Sequence, residues 1–463
     1  MTGWDELLKD LQDRRDTARA MGGSERLEQR RDGRLDARAR IDRLLDEDTF
    51  VELGTLVGSV HRGVVPPVPA DGLIAGHGAI DDRPVLVGAE DFTVMGGSIG
   101  RGTTAKRQRL AELAAQERVP LVMLLEGAGE RTQNAFEPRG RAPNDLQTLA
   151  HLSGLVPTVA VVMGPSAGHG ALTAPLMDFV VMVEGASLFS AGPPLVKEAT
   201  GEDVTKDDLG GTAVHTTVSG VAHNAVLDDG DALDLVRRYL GYFPSNAWQL
   251  APAQTGTDDT APREVDGLTD LIPADPRRGY DIRPVVELIA DRGSMLEIEP
   301  AFGRPIVTAL ARLGGESVAV VANQPAAKAG AIDSEAADKA AHFIDVADAF
   351  HLPLVFLADN PGVLAGTAAE RSGVLRHAAR MFAAQARVRS PKLHVTLRKA
   401  YGFGSSLMAM NPFDRQTVTL ALPGARLGAM PATGAGAAAG VDDDAQGVLD
   451  HAELGGAYSS ADA

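Results

Sequence analysis

The residues with most to offer chemically sit where apolar runs break on glycine. After VAVVM the chain reads Gly164-Pro165-Ser166-Ala167-Gly168, followed by His169 and Gly170. The spelling is G-x-S-x-G between a predicted strand and a predicted helix, the setting in which a serine on a strained elbow acts as nucleophile. An elbow of that kind also demands an acid and a histidine further on. A different chemistry uses the glycines. A Gly-rich turn entering a helix leaves backbone N–H groups without intrahelical acceptors. Backed by the helix dipole, those amides hold an anion or a developing oxyanion. A second turn, Tyr401-Gly402-Phe403-Gly404, follows HVTLRKA and has no serine in that role. Two such turns polarise two carbonyls, one on each reactant, which points to group transfer through an enolate. Glycines that only permit tight helix–strand packing give the same pattern.

Other candidates are less specific. The run GGSIGRGTTAKRQR gathers Arg101, Lys106, Arg107 and Arg109 in an otherwise acidic chain. It reads either as a phosphate-holding cluster or as a solvated helix face. His215 and His223 in HTTVSGVAH lack a third ligand at helical spacing, so they read as structural and no metal site is expected. His169 is open to the same two readings.

The elements that must position these turns are written twice, about 233 residues apart. VPLVMLLEGAG from Val119 answers LPLVFLADNPG from Leu352, and VLVGAEDF from Val85 answers VAVVANQP from Val318. Lys106 answers Lys339, each in a helix-like stretch before the apolar run. The period is far longer than that of a solenoid, so two homologous α/β domains are expected, residues 1–260 and 261–463. Residues 1–46 read as a charged, helical arm, and 244–281, rich in Pro, Asp, Thr and Gly, as the connection. GAMPATGAGAAAGVDDDAQG reads as a close-packed turn with an acidic tail, or as a flexible end.

Composition narrows the class. With 463 residues and 44% hydrophobic content, two cores are affordable. A formal net charge of −18 argues against nucleic acid or anionic membrane as partner. No run approaches a membrane span, and MTGWDELLKD lacks a signal-peptide core, which makes the cytoplasm the expected compartment. With no cysteine there are no disulfides, thiolate nucleophiles or Cys-held zinc.

Taken together, several stretches resemble the carboxyltransferase (beta) subunit of biotin-dependent acyl-CoA carboxylases, of the propionyl-CoA carboxylase type. They are RLDARARIDRLLDEDTFVELG, DFTVMGGSIG, VKEATGEDVTKDDLGG, HTTVSGVAH, YFPSN, DPRRGYDIR, ADNPGVLAGTAAERSGVLRHAARMF and RKAYG. The resemblance implies two tandem crotonase-like domains of ββα units. It implies an enzyme moving a carboxyl group from carboxybiotin to the α-carbon of an acyl-CoA, acetyl-, propionyl- or related. Its site is expected between the first domain of one subunit and the second domain of its dimer partner, in a homo-hexamer built as a trimer of dimers. The turn amides at Gly168 and His169 are implied to polarise the biotin ureido oxygen, and those at Phe403 and Gly404 the thioester oxygen. Departing biotin takes the α-proton, so no side-chain base is required. Reactant binding is implied for Gly127, Gly129 and Arg131 in EGAGER, and for Gly402 and Ser406. Gly404→Val is accordingly expected to lower turnover far more than stability.

The chain departs from that family at the turns themselves. Gly-His-Gly stands for Gly-Gly-Ala at 168–170, and Phe403-Gly404 for Gly-Ala, which adds bulk where carbonyls approach. If either position needs φ above zero, a non-glycine residue there is strained. Ser406 replaces an aspartate that helps select the acyl chain. The chain ends at Ala463, earlier than the family's helical tail, so part of a docking surface is expected to be missing. No A-M-K-M-like biotinylation site and no ATP-grasp-like stretch is found, so biotin is expected on a partner, a biotin carboxylase with its biotin carrier. A biotin-independent decarboxylase of the same fold and a non-catalytic carboxylase subunit remain alternatives.

Overall fold

The computed structural model describes residues 3–29, 33–58, 68–132, 134, 144–255, 263–410 and 415–430. The expected domain boundary near residue 260 and the Gly/Ala-rich stretch after residue 430 lie outside them. The chain divides into two compact units, Met1–Gln249 and Leu250–Ala463.

Unit 1 is built on a seven-stranded sheet. Its spatial order is β1 (Val51–Leu53), β2 (Leu73–Ile80), β3 (Arg83–Glu90), β4 (Leu121–Leu125), β5 (Thr158–Val162), β7 (Phe179–Val183) and β9 (Asn224–Val226). A short ribbon pairs β6 (Pro165–Ala167) with β8 (Ser187–Phe189) in parallel. The first three strands are antiparallel and the rest of the large sheet is parallel. Parallel strands covered on both faces need continuous apolar runs. LVMLL, TVAVV and FVVMV in β4, β5 and β7 are buried at every position. The helix Arg101–Glu117 carries the chain from β3 to β4. Its Leu110, Ala111 and Ala114 recur at helical spacing and join Leu86 and Met123 in one core.

Unit 2 repeats the plan. Its sheet runs β10 (Leu296–Ile298), β11 (Ile306–Leu313), β12 (Glu316–Asn323), β13 (Leu354–Asn360), β14 (Lys392–Tyr401) and β15 (Val418–Ala421), with β16 (Arg426–Gly428) also pairing β14. The first three are again antiparallel and the others parallel. Residue 73 opens β2 and 306 opens β11; 83 and 316 open β3 and β12; 121 and 354 open β4 and β13. The helix Ser334–Ala349 answers Arg101–Glu117. Asp333 caps it, accepting the Ala336 N–H.

The duplication extends to unusual backbone. Met95, Gly96 and Gly97 are left-handed in succession (φ 52°, 65°, 63°), and so are Lys328, Ala329 and Gly330 (φ 47°, 54°, 79°). A β-carbon at Gly97 would fall 2.4 Å from Glu126 O, and one at Gly330 2.4 Å from Asp359 O. Glycine at the third place is therefore a requirement of the shared fold.

The N-terminal arm has two characters. Its first helix, Gly3–Arg19, buries only Ala18. Its last, Ala37–Leu44, buries Ala37, Arg40, Ile41 and Leu44, so that stretch is core rather than solvated arm. Among the described residues no helix is long and apolar enough to cross a membrane.

Candidate active site

Gly168 and Gly402 open short helices, Gly168–Ala171 and Gly402–Leu407, immediately after β6 and β14. Both glycines are left-handed, with φ of 57° and 54°. Each follows an extended residue, Ala167 (φ −131°, ψ 153°) and Tyr401 (φ −115°, ψ 146°). The structural match sets His169 against Phe403 and Gly170 against Gly404. It therefore aligns Gly168-His169 with Gly402-Phe403, one place earlier than the second pair the resemblance assigns. Neither His169 nor Phe403 is left-handed. Their bulk is carried without backbone strain, and the need for glycine falls on Gly168 and Gly402.

The loops after β4 and β13 support these turns. The Ala167 N–H donates to Gly127 O at 3.1 Å. A β-carbon at Gly129 (φ 84°) would lie 2.8 Å from Ala167 O. In unit 2 the matching Gly362 (φ 121°) lies against Gly404. A β-carbon at Gly404 would stand 2.7 Å from Gly362 Cα and 2.3 Å from Asn360 Oδ1. Gly404 is buried in that contact. The expectation that a larger residue there spares folding is thus corrected, because the new atoms meet the loop itself.

Beneath the first turn lies a chain of buried charges. His169 Nε2 is 2.6 Å from Asp145 Oδ1. Asp145 Oδ2 accepts from Arg107 Nε at 2.7 Å, and Arg107 also reaches Glu90 Oε1 at 3.0 Å and the Thr173 hydroxyl. Glu90 Oε2 accepts the Glu126 N–H at 2.8 Å. Glu126 and Asp229 share Arg40, at 2.6 Å and 2.9 Å. Burial pushes the Asp145 carboxyl up, but the hydrogen bond from His169 and the charge of Arg107 outweigh it and hold it below the usual range. At Glu90 burial wins over Arg107 and the carboxyl is raised. The neighbouring carboxylates of Glu126 and Asp145 push it the same way. Burial opposes the charge of Arg40, yet Glu126 and Asp229 raise its pKa further.

The second turn is different in kind. Phe403 is 44% exposed, and its ring centroid is 5.4 Å from that of Phe382. Ser406 is half-buried, and its carbonyl accepts from Gln385 Nε2 at 2.9 Å. Arg398 of RKAYG is buried against Asp359 at 2.7 Å. Burial leaves the Asp359 carboxyl raised despite that partner.

Other candidates fall elsewhere. Ser166 is fully buried (0% exposed) within β6, which removes the nucleophile-elbow reading. Lys106 and Arg107 are buried and committed to protein acceptors, leaving Arg101 and Arg109 at the surface. Arg131 is buried on Asp71 at 2.5 Å and donates to Ser98 O at 2.9 Å. His215 bonds Ser219 Oγ and Leu188 O, and His223 accepts the Val180 N–H. The network partners Asp145, Glu90, Arg40 and Asp229 escaped the sequence reading. They are separated by tens to hundreds of residues, and only the fold gathers them.

A parallel-stranded unit with a left-handed glycine opening a helix beside its sheet is the crotonase-like plan, present here twice in tandem. The profile of the carboxyl transferase domain matches residues 28–446. The chain belongs to the carboxyl transferase family. It is 39% identical over 437 residues to a propionyl-CoA carboxylase beta chain of Cereibacter sphaeroides, covering 93% of this chain and 85% of that one. It is 38% identical over 413 residues to the methylmalonyl-CoA decarboxylase subunit alpha of Veillonella parvula, covering 88% and 80%. Among solved structures, transcarboxylase 12S with methylmalonyl-coenzyme A and methylmalonic acid bound superposes with a TM-score of 0.91. The identity is 34%, over 99% of this chain and 90% of that one.

Proposed function

We propose that this chain is the carboxyltransferase component of a biotin-dependent acyl-CoA carboxylase, exchanging a carboxyl group between biotin on a partner subunit and the α-carbon of an acyl-CoA. The observation that carries the reading is the pair of equivalent glycine turns, one per unit, in a chain of the carboxyl transferase family. Gly168 and His169 form the polarising set of unit 1, and Phe403 and Gly404, one place further along the equivalent turn, that of unit 2. Gly127, Gly129, Gly402 and Ser406 shape the binding surface, and Arg131 acts from below by holding Asp71.

Open space beside the first turn supports the reading. The position of a β-carbon at Gly168 meets nothing nearer than Ser190 O at 3.8 Å, so the space over the turn is open. Biotin, when bound, supplies a carboxylated urea that gives up its carboxyl group and takes up a proton. The chain's own part is to polarise: turn amides face the oxygen on which negative charge develops. In unit 2 the same device stabilises a thioester enolate. No side-chain general base is needed, and Ser166 is too buried to act as nucleophile. The reading carries with it assembly as a homo-hexamer and a cytoplasmic location.

Reconstitution with a biotin carboxylase and biotin carrier is the direct test. Carboxylation of propionyl-CoA that depends on ATP, bicarbonate and the carrier is expected. The relative named as a decarboxylase subunit favours one second reading, loss of carbon dioxide from a carboxyacyl-CoA. Turnover of methylmalonyl-CoA with no biotin present would establish that reading instead.

A further inference from the structure

The two turns match in backbone and differ in what they present. Position 169 is an imidazole on a buried carboxylate, whereas position 403 is a phenyl ring against Phe382. Asp145 is 3% exposed, and its two oxygens are divided between His169 and Arg107. Arg107 is itself fixed by Glu90 and Thr173. The ring is therefore anchored through Nε2 to a support that cannot swing without breaking buried ion pairs. Its other nitrogen, Nδ1, has no recorded partner among the described residues, and the side chain is 28% exposed. Among the described residues the second copy shows no equivalent support. By the internal match Arg107 corresponds to Ala340 and Glu90 to Asn323.

With Nε2–H given to the Asp145 carboxylate, Nδ1 is the acceptor of that tautomer and suits a polar head that has an N–H to donate. An aromatic pair suits an apolar chain. The two turns thus sort the two reactants by polarity. Resting on the carboxyl-transfer reading, we propose that His169 is a reactant-binding residue whose Nδ1 accepts from the remaining N–H of the carboxylated urea of the biotin donor, with Asp145 as its positioning residue. Substituting His169 removes a contact made on one reactant only. Substituting Asp145 leaves the ring in place but loosens it.

The test is calorimetric titration of the full chain with free biotin and, separately, with propionyl-CoA. His169→Ala is expected to weaken biotin about tenfold and leave propionyl-CoA unchanged. His169→Gln, whose amide oxygen keeps an acceptor, is expected to recover part of the loss. Asp145→Asn is expected to weaken biotin less and to shift the His169 ring nitrogen signals in the NMR spectrum. Should Asp145→Asn fail to fold, the two His169 variants still decide the matter. If His169→Ala binds biotin as wild type does, while wild type transfers carboxyl groups, this role of His169 is overturned and the carboxyl-transfer reading stands. If wild type neither binds biotin nor transfers a carboxyl group, both fall together.

Discussion

Ser166 has the spelling of a nucleophile and the surroundings of a core residue. Its hydroxyl is buried without a recorded hydrogen bond. Ser166→Ala is expected to keep activity near wild type and to leave the melting temperature unchanged or slightly higher; a loss of several orders of magnitude in turnover would restore the elbow. Gly168 is the opposite case, where little beyond backbone conformation demands glycine. At φ 57° with open space for a β-carbon, Gly168→Ala should cost about 1–2 kcal/mol of stability. Added bulk at the proposed polarising turn should also lower transfer, by up to about 100-fold, the lower end of what an oxyanion donor is worth. Paired melting curves and turnover would show it, and full activity in a folded variant would remove the turn from the mechanism. His394 gives a pH signature. Burial pushes its imidazole down to about 4, opposed in part by the bond to Met408 O. The unfolded chain takes up that proton near the ordinary value of about 6.5. Stability from this group is thus complete above that point. It is lost as pH falls from 6.5 through 4, by up to about 3 kcal/mol. Denaturant melts at pH 7, 5 and 4 would reveal the slope in unit 2, and a flat profile would contradict the assignment.

At the scale of elements the duplicated helices share one device. Lys106 Nζ donates to Ala70 O and Leu73 O at 2.8 Å and 2.7 Å, and Lys339 Nζ to Glu299 O and Phe302 O at 3.1 Å and 2.7 Å. Each buried ammonium clamps the turn that precedes an antiparallel strand, β2 or β11. Lys106→Met and Lys339→Met should therefore destabilise their units by similar amounts, about 2–3 kcal/mol each. A large cost in one and none in the other, measured by chemical denaturation, would mean that the clamp is not a shared feature. These elements were the legible part of the chain. A period near 233 residues, apolar runs for parallel strands and the two lysines all follow from spacing and burial. The turns were legible as glycine-rich but not in their alignment, because left-handed backbone at Gly168 and Gly402 leaves the same letters as close packing. The buried network was not legible at all. Arg40 meets Asp229 across 189 positions, and no local pattern records such a pairing.

The molecule as a whole holds two copies of one fold whose glycine turns share a backbone and differ in side chain. Both keep the glycine that opens the helix and the loop glycine that supports it, Gly129 or Gly362. They differ at the residue between, half-buried His169 or exposed Phe403, and the proposed sorting of reactants rests on that difference. Neither departure strains the backbone, so the added bulk at 169 and 403 is compatible with the role proposed for both turns. The central claim is transfer between those reactants. It is tested most directly by incubating the chain with methylmalonyl-CoA labelled in its free carboxyl group and the biotinylated carrier. Label appearing on the carrier, with loss from the thioester in equal amount, is the predicted result. Release of labelled carbon dioxide in the absence of biotin, or label that stays on the thioester, would contradict it.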